Sequence, residues 1–108
     1  MSYDLAVWAA RGTLSPEEAQ EVYERLAGGE SCAEAPEDAR LADFARALEG
    51  LGLGDADYEE APTHVQLTLA FSSSEELVPR VAAAARARGL ACYDPQEESV
   101  LCQASGGS

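Results

Sequence analysis

The stretch THVQLTLAFS, from Thr63 to Ser72, decides the fold, because apolar and polar side chains alternate along it as they do in a half-buried β-strand. Successive side chains of a strand point to opposite faces of a sheet. The apolar positions share one face; they are Val65, Leu67, Leu69 and Phe71. We therefore predict a sheet with this face against the core and with Gln66 and Thr68 on the other face.

Two further segments are predicted to be strands of the same sheet. They read YDLAVW, from Tyr3 to Trp8, and LACYD, from Leu90 to Asp94. If their aliphatic side chains join the core face, Trp8 and Tyr93 lie on the opposite, open face. Two aromatic side chains among small and polar residues are typical of a binding surface. The alternative is that Trp8 folds over the sheet rim or under a loop.

Three helices are predicted between and after these strands. In LSPEEAQEVYERLAGG, Ser15 and Glu18 form a capping box and Pro16 occupies the first helical position. A second helix is predicted to begin at Pro36, and a third, SSSEELVPRVAAAARARG, to end at Gly89. Each has an apolar stripe at helical spacing, and we expect all three to pack on the core face of the sheet.

The predicted order is strand, helix, helix, strand, strand, helix, strand, with SVLCQ as a last edge strand. This order predicts an α+β, ferredoxin-like two-layer sandwich, with an antiparallel sheet of about four strands, helices on one face and an extra helix after the first. The acids of DADYEEAP are poor strand chemistry, and without that strand the alternative is a smaller mixed sheet. We expect one domain over residues 1–104 and a flexible tail at 105–108.

Acidic residues dominate the composition. Twenty acids oppose seven arginines, no lysine is present, and the formal net charge is −13. Fourteen of these acids lie between Ser15 and Glu60, where only three arginines accompany them. Such a surface repels phosphate backbones and attracts basic partners. The alternative is that the acids only maintain solubility.

The sequence carries no recognisable catalytic or metal-binding motif. It has one histidine, His64, and its three cysteines lack CxxC spacing. We therefore expect no enzyme activity, no cofactor and no metal, and we expect the cysteines to be reduced thiols. The alternative is a disulfide between Cys92 and Cys102, which flank a short turn-like segment. No apolar run has the length of a membrane span, and the start resembles no signal peptide, so we expect a cytoplasmic protein.

The two ends of the chain resemble a family of small bacterial proteins. MSYDLAVW matches an opening of the form Tyr-Asp-Leu-x-Val-Trp/Phe. HVQLTLAFSSSEELVPRVAAAARARGLACYDPQ matches a strand ending in an aromatic-serine step, a helix, and then Gly-Leu/Val-x-x-Tyr/Phe-Asp. Members of this family resemble the immunity proteins encoded beside polymorphic toxins. The resemblance implies a protein that neutralises a toxin by binding it.

These observations lead to the hypothesis of a non-catalytic acidic immunity protein that occludes the active site of a basic toxin, with no nucleic acid and no membrane as partner. The alternatives are a small-molecule-binding regulatory domain of the ACT-like kind, dimeric through its sheet, and a structural subunit of a larger assembly. The candidate partner-binding residues come from the open sheet face and from the acidic segment: Trp8, Tyr93, Gln66, Thr68, Glu17, Glu21, Glu24, Asp55, Asp57, Glu59 and Glu60.

Overall fold

The computed structural model describes residues 2–10, 13–30, 35–51, 57–70 and 74–103. The elements follow the predicted order: β1 (Ser2–Trp8), α1 (Pro16–Ala27), α2 (Arg40–Glu49), β2 (Asp57–Glu60), β3 (Val65–Ala70), α3 (Ser74–Ala87), β4 (Ala91–Asp94) and β5 (Ser99–Cys102). The fold is therefore α+β, as predicted. None of the helices in these ranges has the length and hydropathy that crossing a bilayer demands.

The five strands form one antiparallel sheet in the order β2-β3-β1-β4-β5. The central strand β1 pairs with β3 through partners such as Leu5 and Leu67, and with β4 through Trp8 and Ala91. The predicted short strand before Pro62 is present as β2, paired with β3. Its turn closes with a hydrogen bond of 2.8 Å from the Ala61 amide to the His64 carbonyl.

The first face of the sheet, which carries Leu5 and Val7, packs against α2 and α3. Val65, Leu67 and Leu69 lie there as predicted, and Leu67 is fully buried. Phe71, predicted to share this face, lies outside the described residues. The helical side chains come from two stripes, Leu41, Phe44, Ala45 and Leu48 of α2 and Leu77, Val81 and Ala85 of α3. This larger core follows from the alternating pattern of the strands and the helical spacing of the stripes.

The second face of the sheet, which carries Ala6 and Trp8, is covered in part by α1. The apolar stripe of α1, Ala19, Val22 and Leu26, is buried in a separate cluster with Trp8 and the residues around it. The prediction that all helices lie on one face is therefore wrong for α1. An amphipathic stripe shows that a helix needs an apolar surface, and both faces of β1 offer one.

The helix ends agree with the sequence pattern at α1 and differ at α2. The Ser15 hydroxyl accepts a hydrogen bond of 3.2 Å from the Glu18 amide, and the Glu18 carboxylate accepts one of 3.1 Å from the Ser15 amide. The second helix begins at Arg40 and not at Pro36. The Asp38 carboxylate accepts bonds from both the backbone and the guanidinium of Arg40, so this acid lies just outside the helix and stabilises its first turn.

Candidate partner-binding surface

The two aromatic residues predicted to lie on an open face are both fully buried. Trp8 and Tyr93 have 0% relative exposure, because α1 lies over them. Their ring centroids are 6.3 Å apart, and Tyr23 of α1 approaches Tyr93 at 5.9 Å. The prediction that these two aromatic side chains lie on an open face is therefore wrong, because they form the core beneath α1.

Of the two buried polar groups in this aromatic cluster, the Tyr93 hydroxyl and the Trp8 indole N–H, only the first has a hydrogen-bond partner among the described residues. The Tyr93 hydroxyl donates a hydrogen bond of 2.5 Å to the Gln20 side chain. Burial, and then the nearby carboxylates led by Glu98, raise the pKa of Tyr93. The buried Trp8 Nε1 has no hydrogen-bond partner within the described part of the chain. The Tyr93 contact ties α1 to the sheet by a specific bond in addition to apolar packing.

The half of the second face formed by β2 and β3 carries none of the helices that the structure describes. Gln66 and Thr68 of β3 lie there half-buried, as predicted, opposite Glu59 and Asp57 of β2. Together with Tyr58 they line a shallow depression of about 450 Å³, which we call the acidic groove. The structure thus brings together four of the predicted binding residues on one surface.

Asp4 of β1 adjoins the acidic groove and was not among the predicted binding residues. It is the register partner of Thr68, whose hydroxyl donates a 3.3 Å hydrogen bond to the Asp4 carboxylate. The sequence signal was present, because alternation places Asp4 on the same strand face as Trp8.

No arginine in the described ranges forms an ion pair with an acid of the groove. The ion pairs join Arg25 to Glu21, Arg40 to Asp38 and Arg46 to Asp43. His64 directly precedes β3, next to the turn that joins β2 to β3. Burial holds the pKa of His64 below its ordinary value against the opposing effect of Glu59. His64 is therefore mostly neutral near pH 7, and the groove keeps a negative potential.

The remaining predicted acids are dispersed over other surfaces. Glu17, Glu21 and Glu24 are exposed on α1, on the same side of the sheet as the groove but above its covered half. Two of them have partners within the helix: Glu21 lies 2.8 Å from Arg25, and Glu24 accepts a 2.9 Å hydrogen bond from Gln20.

Glu60 does not join the groove in the structure. Glu60 is the register partner of Val65 and therefore belongs to the first face, where it is exposed near Glu37 and Asp38. Asp55 lies outside the described residues. The acidic segment thus contributes to at least two surfaces, of which only the groove also contains the predicted polar residues of β3.

The residues that carry the family resemblance join the two ends of the chain. The Tyr3 hydroxyl donates a hydrogen bond to the buried Asp94 carboxylate. The side-chain amide of Gln96 pairs with the backbone of Asp4 in β1. Its Oε1 accepts a hydrogen bond from the Asp4 amide at 2.6 Å, and its Nε2 donates one to the Asp4 carbonyl at 2.8 Å. The contacts of the motif residues Tyr3 and Asp94, together with those of Gln96, hold the β4–β5 hairpin against β1, which is a structural role.

The described residues contain no group of three or more His, Cys, Asp or Glu side chains placed to hold a metal ion. Comparisons with protein-family models, with curated proteins and with solved structures find no match to this chain.

Proposed function

We propose that this chain is a non-catalytic acidic binding protein whose partner is a basic protein, and that the partner is a bacterial toxin neutralised by occlusion of its active site. The observation that carries the proposal is the acidic groove. The whole chain has a net charge of −13, and within the described ranges the acids of this groove have no arginine partners.

The groove has the properties of an electrostatic docking surface. Asp57 and Glu59 are exposed at the β2 edge of the sheet, and the half-buried Gln66 and Thr68 provide neutral hydrogen-bonding groups beside them. Exposed charges of one sign speed the encounter with an oppositely charged partner, and this effect decreases as salt screens them. Neutral polar groups at the same place add specific contacts after the encounter.

Trp8 and Tyr93 are buried, so neither side chain is exposed for a partner to contact. We therefore assign binding to complementarity of charge and hydrogen bonding in the acidic groove, in place of these two aromatic side chains. The α1 acids, Glu17, Glu21 and Glu24, extend the negative potential on the same side of the sheet. We therefore assign them to the encounter and the groove to the final contact.

The ferredoxin-like interpretation of the fold belongs to the same proposal. It is supported by the strand order β2-β3-β1-β4, in which both neighbours of β1 are antiparallel to it and come later in sequence. In this interpretation α1 is an addition on the second face and β5 is an additional edge strand.

The test begins with capture of the partner by the tagged chain at low salt, its identification by mass spectrometry and its purification. Association of the purified partner is then measured at low and physiological salt. We expect a basic protein whose on-rate falls several-fold as salt increases. Co-expression of the chain is expected to restore growth of cells that are arrested by that partner.

Two charge-reversed variants locate the contact. Asp57→Lys with Glu59→Lys reverses the groove, and Glu75→Lys with Glu76→Lys makes the same change in charge at exposed sites on α3, on the other side of the sheet. We expect the groove variant to slow association more than the α3 variant. Equal effects of the two variants, or an on-rate that does not depend on salt, would contradict the proposal. A basic partner that binds at the groove but does not arrest growth would contradict only the part of the proposal that identifies the partner as a toxin.

A further inference from the structure

Cys92 and Cys102 face each other across the β4–β5 hairpin. They are register partners on the two antiparallel strands, next to the irregularity between Cys92 and Tyr93. Both thiols are free and buried in the core of the first face. Each thiol shifts the pKa of the other, as expected for two neighbouring sulfur atoms.

The placement of this pair suits a disulfide. Residues directly opposite each other on antiparallel strands have Cβ atoms about 4.5–5.5 Å apart. A disulfide brings the Cβ atoms to about 3.5–4.5 Å, so a small approach of β5 towards β4 is sufficient. β5 is the edge strand of the sheet, paired with β4 on one side only among the described strands. An edge strand can make such an approach without displacing another strand.

We propose that Cys92 and Cys102 form a dithiol site that a small hydroperoxide oxidises to a reversible intrachain disulfide. In the first step a sulfur lone pair of the Cys102 thiolate attacks one oxygen of hydrogen peroxide. The O–O bond breaks, Cys102 becomes a sulfenic acid, and the leaving hydroxide becomes water by taking up the proton that the Cys102 thiol released when it ionised. In the second step the Cys92 sulfur attacks the Cys102 sulfur, the S–O bond breaks, and the Cys92 thiol proton goes to the departing hydroxide, which leaves as water. Two thiols are oxidised by two electrons, and the peroxide is reduced to two molecules of water.

The surroundings of the two sulfurs assign these roles. Cys92 is fully buried, whereas Cys102 keeps a small exposure of 5% on the edge strand. The contact with Cys92, helped by the charge of Arg86, lowers the pKa of the Cys102 thiol to about 7, while the same contact and burial raise that of Cys92. Thiolate character and access determine which cysteine reacts first, and both favour Cys102. A small oxidant is required because the site is nearly closed.

Oxidation would also change how β5 is held. In the reduced chain the Cys102 thiol is 3.3 Å from the Leu90 carbonyl and 3.6 Å from the Ala82 carbonyl of α3. A disulfide has no S–H to donate, so these contacts are lost while a covalent link to β4 is gained. The site therefore exchanges a contact of β5 with α3 for a bond to β4.

The experiment titrates the reduced, folded chain with hydrogen peroxide, blocks the remaining thiols with a maleimide under denaturing conditions, and digests with trypsin. Cleavage after Arg88 leaves both cysteines in one peptide, residues 89–108, whereas Cys32 falls in residues 26–40. We expect the later peptide to lose the mass of two hydrogen atoms and both maleimide adducts, and Cys32 to keep its adduct. Dithiothreitol is expected to restore all three adducts.

Variants separate the proposed pair from other thiol chemistry. Cys32→Ala should form the link as the parent does, whereas Cys92→Ala should leave Cys102 as a sulfenic acid that dimedone traps. If Cys92→Ala fails to fold, the result for Cys32→Ala still decides. Three remaining thiols after excess peroxide, a link that involves Cys32, or a link between two chains would overturn the proposal.

Discussion

β1 and β3 lie side by side in the sheet, yet the second face is covered at β1 and bare of described helices at β3. Their sequences differ in the corresponding way. β3 alternates apolar and polar residues as VQLTLA, whereas β1 leads into a continuous apolar run, LAVWAA, from Leu5 to Ala10. A strand that is buried on both faces is apolar throughout, and one that is buried on a single face alternates. The strands thus encode where α1 packs and where a surface remains for a partner.

The largest expected effect is that of removing the indole at the centre of the covered half. Trp8→Ala should reduce the free energy of unfolding by about 3–5 kcal/mol, because it leaves a cavity beneath α1. Leu67→Ala, which truncates the core of the first face, serves as the reference and should cost about 2–5 kcal/mol. Urea denaturation measures both. A cost below about 0.5 kcal/mol for Trp8→Ala, typical of an exposed site, would contradict the packing of α1 on this face.

A smaller effect is expected from the hydroxyl that joins Tyr93 to α1. Tyr93→Phe removes the hydrogen bond to Gln20 and keeps the ring, so it should cost about 0.5–1.5 kcal/mol. Tyr58→Phe is the matched control, since its hydroxyl makes only a 3.4 Å contact with exposed Glu49. Equal stabilities of the two variants would mean that the Tyr93 bond does not contribute to holding α1.

The same hydroxyl should give the covered half a dependence on alkaline pH. Burial raises the pKa of Tyr93 in the folded chain, so folding favours the protonated phenol. This contribution is complete below the unfolded pKa of about 10 and is lost as pH rises through the folded pKa. The melting temperature of the parent should therefore fall more steeply above about pH 10 than that of Tyr93→Phe. Parallel curves would show that Tyr93 ionises as easily in the folded chain as in the unfolded one.

The smallest effect on stability is expected in the acidic groove. Asp57→Lys with Glu59→Lys should change the free energy of unfolding by no more than about 0.5 kcal/mol, because both side chains are exposed and lack ion-pair partners in the described ranges. A loss of about 2 kcal/mol or more would identify the two acids as structural. A neutral result combined with slower association would separate binding from folding at this surface.

Local patterns predicted most of the fold. The capping box at Ser15 and the alternation from Val65 to Leu69 depend on neighbouring residues only, and both are confirmed. The side of the sheet on which α1 packs is a choice between two faces, and the stripe of α1 fits either. The apolar run from Leu5 to Ala10 indicates burial of both faces of β1, because a strand buried on one face only would have polar residues at the positions of Ala6 and Trp8.

The candidate site was predictable in part for the same reason. Alternation along β3 correctly placed Gln66 and Thr68 away from the first face, and the β2 pairing then brought Asp57 and Glu59 beside them. The role of Tyr93 could not be derived from alternation alone, since a residue on the second face is exposed or buried according to which helix lies above it.

Fluorescence quenching of Trp8, the single tryptophan of the chain, tests most directly the claim that α1 covers one half of the second face. The account predicts that acrylamide quenches the folded chain several-fold less than the chain unfolded in urea, since the indole has 0% exposure beneath α1. Equal quenching of the folded and unfolded chains would contradict the account, because it would show that Trp8 is exposed on an open face where a partner can contact it.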